Sequence, residues 1–526
     1  MRFAPIHVLR LIRVGFVLAR EGAFALVDPV DLPAGVAALL RLARLIEKRG
    51  ASASAEGLVA ALTRLGPSYI KLGQFMATRP DVVGVRVARD LEKLQDRIPP
   101  FGQAEAVNTL EMAFGKPIDA LFSEFSMPIA AASIAQVHRA ITHKGETLAV
   151  KVLRPGVRAR FRRDLAAMAY AAETMEALSA EARRLKFVDV VETLARSVTM
   201  EMDLRLEAAA LSEMAENTKE DAEFRVPSVN WDLTAREVLT MEWIDGIPLH
   251  DIEQIVAQGH DRIALGRIVI QSFLRHALRD GFFHADMHPG NLFVDEASRL
   301  CAVDFGIMGR LGMKERRFLA EILLGFITRD YRRVAEVHFE AGYVPPRHSV
   351  DDFAQAIRAI GEPIHQRSAD QISMAKLLTL LFEVTGLFDM RTRTELVMLQ
   401  KTMVVVEGVA RSLDPQLNMW TTAEPVVRGW IERNLGPIGK IEELGRGAVS
   451  LAGMIGQLPT LANRAETLTQ LLSEASEKGF PLDARSIEEI GRAEARRNRW
   501  GNLALWVIAA VLVVWKKRGS GAGRPG

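Results

Sequence analysis

The sequence contains a single cysteine, Cys301, among 526 residues. One thiol excludes an internal disulfide framework and any metal site built from several cysteines, and it suits a reducing compartment. Aromatic residues are also scarce, at 6%, whereas alanine and leucine are frequent, which favours helices. Hydrophobic residues at 49% and charged residues at 25% are ordinary globular values, so the chain can bury a sizeable core. At roughly 150 residues per domain, the length predicts several packed units.

The sequence also has no large excess of basic or acidic residues. The 67 basic and 65 acidic residues give a net charge of +2, which provides no general basic field, and no nucleic acid partner is expected. This neutral total is a cancellation, because the tail from Gly491 to Gly526 contains eight basic residues and one acid. A mildly acidic body is therefore joined to a basic tail.

The chain also lacks an uncharged run that is clearly long enough to cross a bilayer. The longest wholly apolar run, Leu503–Trp515, would span about 20 Å as a helix, short of the ~30 Å hydrocarbon core. Length alone favours a buried or interfacial helix. Tryptophans and basic clusters at both ends are nevertheless typical of membrane interfaces. We therefore expect residues 500–516 to anchor the chain in a membrane.

The N-terminal segment Met1–Arg20 does not have the pattern of a signal peptide, because Arg10 and Arg13 interrupt its apolar run and the segment contains no small-residue cleavage site. It predicts a basic amphipathic helix that lies either on a membrane surface or on the body of the protein. The sequence leaves both alternatives open.

One segment in the middle of the chain carries the strongest chemical signal. His284, Asp286 and Asn291 reproduce the spacing of the protein-kinase catalytic loop, and an Asp-Phe-Gly triplet begins later at Asp304. In such a site the first aspartate lies near the transferring phosphoryl group, while the asparagine and the second aspartate bind magnesium. Asp286 is therefore the candidate catalytic residue, and Asn291 and Asp304 are the candidate Mg²⁺ ligands.

A zinc site is the weaker alternative for this segment. His284 and His288 have the i, i+4 spacing of a helical zinc pair. Ala285 stands where the glutamate of such a motif would be, and Pro289-Gly290 would break the helix. The kinase interpretation is favoured.

Lys151 lies in an apolar strand, Leu148–Val152, that fits the Val-Ala-Ile-Lys pattern and predicts a catalytic lysine that neutralises nucleotide phosphates. Its carboxylate partner should come from a following helix, where Glu201 and Asp203 are candidates. On a regular helix, two side chains that are two residues apart are separated by a rotation of about 200°, so only one of Glu201 and Asp203 can face Lys151. Asp203 and Glu207 share a face at i, i+4, which is also the pattern of a solvated stripe.

A glycine-rich loop over the phosphates is absent. Alanines occupy its expected place, and their Cβ atoms restrict positive φ angles and close approach to phosphate. The candidate nucleotide-binding residues are Ala130, Ala131, Ala132, Ser133, Lys151 and Glu242. The one Gly-x-Gly-x-x-Gly match, Gly521–Gly526, has neither a strand before it nor a helix after it, so a dinucleotide fold is not supported.

Taken together, these motifs resemble the UbiB family of atypical kinase-like proteins, to which the mitochondrial ADCK proteins belong. Besides the kinase remnants and the alanine-rich loop, Lys71-Leu72-Gly73-Gln74 matches the family's Lys-x-Gly-Gln motif. Glu201 and Asp203 form a Glu-x-Asp motif. The resemblance is strong from about Glu56 to Arg310 and weaker to about residue 430.

The resemblance implies an α+β, two-lobed kinase-like fold, with added N-terminal helices over the active site and a helical, membrane-anchored tail. It implies that Lys71 and Gln74 occupy the region where a protein kinase receives a peptide. It also implies a catalytic ion pair between Glu201 and Lys151, with Asp203 facing the Lys71 helix. No Ala-Pro-Glu follows Asp304, which argues against ordinary peptide phosphorylation.

Family membership further implies ATP and Mg²⁺ as cofactors, and an ATPase or atypical kinase activity coupled to isoprenoid quinone precursors in ubiquinone biosynthesis. The implied partners are membrane lipid, these precursors and other ubiquinone-biosynthesis proteins, and the implied location is the bacterial inner membrane, with the kinase-like domain facing the cytoplasm. A nucleotide-binding scaffold without turnover is the alternative. A polyprenylphenol monooxygenase, after the hydroxylase name that members have carried, is a distant third because no flavin fingerprint is present.

The expected organisation follows from these motifs and from the Pro and Gly breaks. It comprises a basic N-terminal region (1–55), a helical extension with the Lys-x-Gly-Gln motif (56–121), an N-lobe with a helical insertion (122–244), a C-lobe (245–430), a helical region (431–499) and the membrane helix (500–516).

Deleting Trp500–Gly526 is expected to release the protein from membranes, because this stretch contains the apolar run and four of the eight basic residues that flank it. Fractionation of cells that express the full and shortened chains measures this. Retention of the shortened chain in the membrane fraction would indicate that the N-terminal helix or partner proteins attach the protein to the membrane.

Overall fold

A computed structural model provides the fold of the chain. It describes residues 5–26, 55–77, 85–91, 99–178, 185–365, 386–390 and 394–435, together with the single positions 47, 79, 83, 94, 183 and 384. Among these residues, no helix has both the length and the apolar character needed to cross a membrane. The helix predicted at 500–516 and nearly all of the region 431–499 lie outside the described residues.

Helices make up most of the described chain. They are α1 (Pro5–Arg20), α2 (Ala55–Leu65), α3 (Pro67–Ala77), α4 (Val85–Leu91), α5 (Gln103–Phe114), α6 (Ile118–Leu121), α7 (Val157–Leu178), α8 (Phe187–Glu201), α9 (Leu204–Asn217), α10 (Ile252–Ala257), α11 (Arg262–Arg275), α12 (Met313–Thr328), α13 (Tyr331–Glu340), α14 (Val350–His365), α15 (Thr394–Leu413) and α16 (Met419–Leu435).

The strands are short and lie between residues 124 and 310. They are β1 (Glu124–Ala131), β2 (Ala135–Ile141), β3 (Thr147–Leu153), β4 (Phe224–Arg225), β5 (Val238–Glu242), β6 (Gly246–Pro248), β7 (Phe282–His284), β8 (Leu292–Asp295), β9 (Leu300–Ala302) and β10 (Met308–Arg310). Short apolar stretches in the sequence at 125–129, 135–141, 147–153, 238–244, 292–294 and 300–303 predict strands. The structure confirms all six, with ends that differ by at most two residues.

The N-lobe is built on an antiparallel sheet with strand order β1-β2-β3-β5. β3 is central and buried from Leu148 to Leu153, because both faces of the sheet are covered. Side chains alternate between the faces of a strand. Val150 and Val152 pack towards α5, whereas Leu153 packs with the α8 and α9 side chains. Lys151 shares the face of Leu153 and is therefore directed towards α9.

The helices α2, α3 and α4 pack with α7 and α8 in one apolar layer, in which Leu62, Leu91 and Phe161 are buried. Gly73 on α3 allows the closest approach in this layer. A Cβ at this position would lie 2.3 Å from a methyl of Leu94 and 2.8 Å from one of Leu62. The small residue of the Lys-x-Gly-Gln motif is therefore needed for packing.

The sequence from Val188 to Glu216 has helical periodicity, which predicts a helix. The structure divides this stretch into α8 and α9 at Met202-Asp203. The Asp203 side chain accepts a hydrogen bond from the Arg205 backbone N–H at 3.3 Å and caps α9, a role in which aspartate is favoured. Arg158 Nη2 holds the break from outside by donating to the Met202 carbonyl at 2.5 Å. The regular helical geometry that separated Glu201 from Asp203 by about 200° therefore does not apply.

The C-lobe is organised around α11, which Asp261 caps by accepting from the Ile263 N–H at 2.9 Å. A small sheet of order β4-β9-β8-β6 and the β7–β10 pair lie beside it, and α12, α15 and α16 pack on its other sides. α11 ends in a π-helical turn, His276–Asp280, which Gly281 closes in the left-handed conformation at φ 65°. The turn delivers β7 and the residues that follow it to the cleft between the lobes.

Substitution of Gly73 by alanine is expected to lower the free energy of unfolding by about 1–3 kcal/mol, because the added methyl forces buried leucines to move. Gly15→Ala in α1 is the matched control. No atom lies within 4 Å of its Cβ position, so it should stabilise the chain by roughly 0.5–1 kcal/mol. Denaturant unfolding of the three proteins measures both effects. Equal behaviour of the two variants would contradict the packing role of Gly73.

Candidate active site

The site centres on the ammonium group of Lys151. Lys151 Nζ donates to the two carboxylate oxygens of Glu207 at 2.8 and 3.0 Å, and to Oδ1 of Asp304 at 2.9 Å. Lys151 is 9% exposed and Glu207 is 8% exposed, so the pair is buried. One contact network thus joins the N-lobe sheet, α9 and the segment after β9.

The three ionisable groups of this network differ in how strongly their surroundings favour the charged form. Burial opposes the charge of Lys151, but Asp304 and Glu207 outweigh it and raise the lysine pKa. Burial raises the pKa of Glu207 to about 7, and the nearby Asp304 charge adds to this while Lys151 opposes it. Partial burial works against the ionisation of Asp304, yet Lys151 holds the pKa of that carboxyl well below its usual range. The site therefore keeps a charged lysine and a charged Asp304.

The predicted ion pair between Glu201 and Lys151 is wrong. Glu201 is the last residue of α8, and its carboxylate pairs with Lys71 Nζ on α3. The prediction that Asp203 faces the Lys71 helix is also wrong, because Asp203 caps α9 and pairs with Arg205, whose Nη2 lies 2.7 Å from Oδ2. Both errors have one physical cause, the break between the two helices.

Glu207 is the functional residue that sequence reasoning missed. A signal for it was present: on α9 it lies three residues after Leu204 and four before Leu211, both of which are fully buried. Residues at this spacing share one helical face. A carboxylate on the buried face of a helix requires a partner of opposite charge, whereas a solvated stripe does not.

The Lys-x-Gly-Gln helix contacts the site through Lys71. This lysine is 8% exposed, and its charge also helps to lower the pKa of Asp304. Gln74 is half-buried on the same helix, one turn further along. Lys71 is thus tied to Glu201 and close enough to Asp304 to influence its charge.

The catalytic loop is fixed by hydrogen bonds to its own backbone. His284 Nδ1 accepts from the Asp286 N–H at 3.1 Å, and His284 Nε2 lies 3.0 Å from the Val303 carbonyl, to which it donates in this tautomer. Asn291 Nδ2 donates to the Asp286 carbonyl at 3.1 Å. Burial lowers the pKa of His284, which keeps it neutral. Both ring nitrogens of His284 are engaged, which removes the basis for the zinc interpretation.

Asp304 is held in an uncommon backbone conformation. Its φ is 62°, in the left-handed region that non-glycine residues seldom adopt and that recurs at functional sites. The next residue, Phe305, is buried to 1% exposure and packs on the His284 ring at a centroid distance of 5.1 Å. The buried phenyl ring therefore fixes the segment from which Asp304 reaches Lys151.

The alanine-rich loop closes the hairpin of β1 and β2. The Ala132 N–H donates to the Ala135 carbonyl at 2.8 Å, and Ile134 accepts from the Arg154 N–H at 2.7 Å. Ser133 is fully buried, and its hydroxyl has no hydrogen-bond partner. Leaving a buried hydroxyl without a hydrogen bond costs about 1–3 kcal/mol. The Ser133 hydroxyl is therefore a polar group of this loop that the fold does not use for hydrogen bonding.

Glu242 ends β5, the strand that leads out of the N-lobe sheet. Its carboxylate pairs with Arg225 and accepts from the Ser228 N–H at 3.2 Å. Its side chain therefore has structural partners, and its role in nucleotide binding stays a prediction.

A helix of the C-lobe, α15, contacts the catalytic loop. Thr402 on α15 is 1% exposed, and its hydroxyl lies 2.8 Å from the Met398 carbonyl of its own helix and 3.0 Å from the Ala285 carbonyl, so its one proton is shared between the two. No sequence pattern pointed to this residue. It positions the backbone immediately before Asp286.

The residues present suit Mg²⁺ bound together with phosphate. Among the described residues, no three His, Cys, Asp or Glu side chains are grouped so as to enclose a metal by themselves. Mg²⁺ commonly takes only one or two protein groups and completes its shell with phosphate oxygens and water. Asn291 and Asp304 are oxygen donors of this kind, and the surplus carboxylate charge beside Lys151 favours a cation.

Comparisons with known proteins agree with this geometry. Residues 93–338 match the ABC1 atypical kinase-like domain, and residues 357–418 match the UbiB helical domain. A relative from Marinobacter nauticus named "Probable protein kinase UbiB" is 38% identical over 464 residues, 86% of this chain and 84% of that protein. A second protein of this name, from Azotobacter vinelandii, is 39% identical over 434 residues, 82% and 80% of the two chains.

A solved structure extends the comparison to the fold. The erythromycin complex of Rv3197 from Mycobacterium tuberculosis is 26% identical, with a TM-score of 0.51, and the match covers 72% of this chain and 96% of that one. The two-lobed arrangement, the two domain matches and the extended identity lead to one conclusion. This chain belongs to the UbiB family of atypical kinase-like proteins.

Proposed function

We propose that the chain binds MgATP and turns it over as an ATPase or atypical kinase that supports ubiquinone biosynthesis. The observation that carries the proposal is the contact of Lys151 with both Glu207 and Asp304 at the cleft that contains Asp286. A structural lysine would need one carboxylate, whereas this one is held by a buried glutamate and by a half-exposed aspartate. That arrangement suits an ammonium group which exchanges one partner for a phosphate.

Each residue has a role that its surroundings support. Glu207 keeps Lys151 charged and directed at the cleft, where the ammonium neutralises phosphate oxygens. Asp304 and Asn291 are the groups that would hold Mg²⁺, which supplies charge neutralisation at the phosphates. Asp286 orients the attacking hydroxyl group or water and accepts its proton, on a backbone fixed by His284, Asn291 and Thr402.

The acceptor is proposed to be water or a small molecule, with isoprenoid quinone precursors as the class suggested by the family. The support is twofold: α3 brings Lys71 to Glu201 beside the site, and no Ala-Pro-Glu follows Asp304. A protein substrate would need the part of the cleft beside Lys71 and Glu201 to be open. Attachment to a membrane through the tail would bring the site to lipid-soluble precursors.

A nucleotide-binding scaffold without turnover is the second candidate. It is favoured by the alanine-rich loop, where Ala130, Ala131 and Ala132 replace the glycines that would let the backbone approach phosphate closely. Sustained phosphate release would exclude the scaffold, provided that it depends on Asp286 and responds to lipid or to a phenolic quinone precursor.

Two isosteric substitutions separate binding from turnover. Asp304→Asn is expected to abolish thermal stabilisation by MgATP, which amounts to about 2.7 kcal/mol at 100-fold excess over Kd, because a proposed metal ligand is lost. Asp286→Asn should retain that stabilisation and lower phosphate release by about 10² or more, because only the proton acceptor is lost. Unchanged stabilisation of Asp304→Asn by MgATP would refute the proposed metal site.

A second pair of variants tests the corrected ion pair. Glu207→Gln should weaken MgATP binding by about tenfold, equivalent to about 1.4 kcal/mol, because Lys151 loses its buried anionic partner. Glu201→Gln is the matched control and should leave the affinity nearly unchanged, since Glu201 pairs with Lys71 instead. Calorimetric titration with the nucleotide measures both. The reverse order of effects would restore the original assignment of Glu201 to Lys151.

A further inference from the structure

Helix α1 exposes a row of large apolar side chains. Leu9 is 67% exposed, Ile12 is 62%, Ile6 is 55% and Phe16 is 49%. At about 100° per residue, these four positions fall within an arc of about 120° on one side of the helix. Single exposed apolar residues are ordinary, but a continuous row on one helix indicates an interaction surface.

The opposite side of α1 is fixed to the body of the protein. Val14 and Val17 pack into the apolar layer that α2, α3 and α7 share. His7 stacks on Tyr170 at 5.9 Å, and Arg10 donates to the Arg163 carbonyl at 3.1 Å. The exposed row is therefore held in a defined orientation, and packing among the described residues does not account for it.

The charged residues on the exposed face of α1 itself have one sign. The sequence of α1 contains no aspartate or glutamate, and the exposed Arg13 and Arg20 fall within the same arc as the apolar row. Arg162 and Arg163 are exposed near the start of the neighbouring α7. A partner for this surface must accept apolar side chains and carry negative charge.

We propose that the exposed face of α1 (Ile6, Leu9, Ile12, Phe16, Arg13 and Arg20) lies in the plane of an anionic lipid bilayer. The apolar row enters the boundary between headgroups and acyl chains, and the arginines contact lipid phosphates. An amphipathic helix with apolar and basic residues on its exposed side is the kind that binds in this way. The proposal is independent of nucleotide chemistry and adds a second lipid contact to the predicted tail anchor.

Two other occupants have the wrong charge. A second copy placed about a two-fold axis would bring Arg13 and Arg20 against the same arginines of its partner. The C-terminal segment 491–526 contains eight basic residues and one acid, so it would also add like charge. An anionic bilayer satisfies the apolar and the charge requirements together.

The test uses the full chain with an environment-sensitive fluorophore at position 9. Cys301 is buried, so Leu9→Cys offers one accessible thiol for the label. Met112→Cys on α5 is the matched control, because Met112 is 73% exposed and far from α1 in sequence. Vesicles of phosphatidylcholine and phosphatidylglycerol in roughly a 2:1 ratio are expected to raise the emission at position 9 several-fold and shift it to the blue, and to leave position 112 unchanged.

Charge reversal separates lipid electrostatics from simple apolar contact. Arg13→Glu in the labelled chain is expected to weaken the vesicle response about tenfold, whereas Arg262→Glu, at the exposed N-terminus of α11, should leave it unchanged. Equal responses to acidic vesicles and to pure phosphatidylcholine would overturn the proposal. An emission shift that grows with protein concentration without vesicles would overturn it too, in favour of a second copy.

Binding through the tail alone would also be recognised. In that case the full chain would pellet with vesicles while the label at position 9 stayed unchanged, and the proposal would be wrong. Basal phosphate release, measured without vesicles, keeps the two proposals apart, because the substitutions in α1 leave the contacts of Lys151 and Asp286 intact.

Discussion

The buried charge of Lys151 is the constraint on which the rest of the structure depends. An ammonium group in an apolar strand is tolerated only with close partners of opposite charge, and removal of one buried partner costs several kcal/mol. Here the partners come from α9 and from the segment after β9, at 2.8–3.0 Å. The sheet, the helix and the C-lobe segment must therefore take their positions together, and the cleft is a consequence of this single requirement.

The break between α8 and α9 lets two neighbouring glutamates serve two different lysines. Glu201 ends the first helix and pairs with Lys71 on α3, while Glu207 lies on the second helix and pairs with Lys151 on β3. Asp203 makes this division possible, because its side chain caps the N-terminus of α9, which therefore begins as a helix separate from α8. A continuous helix would direct the two glutamates about 120° apart, so they would not lie on one face.

Much of the fold and the catalytic loop could be predicted, because their signals are local. The short apolar stretches of β2 and β3 and the spacing of His284, Asp286 and Asn291 depend on residues that are close in sequence. The partner of Lys151 could not be assigned in the same way, since it depends on where a helix ends, and that is decided by the cap at Asp203 and by Arg158 from another helix. Thr402 has no sequence signal, because its contact with Ala285 spans two domains.

The charge balance of the cleft explains why a cation belongs to the proposed function. Lys151 contacts both Glu207 and Asp304, and Asp286 adds a further carboxyl group at the same cleft. A polyphosphate entering this surplus of acid would be repelled unless a divalent ion came with it. Lys71 is near enough to lower the pKa of Asp304, but it is paired with Glu201. The distribution of charge therefore favours metal-bound nucleotide over free nucleotide, independently of the motif in which Asp304 and Asn291 occur.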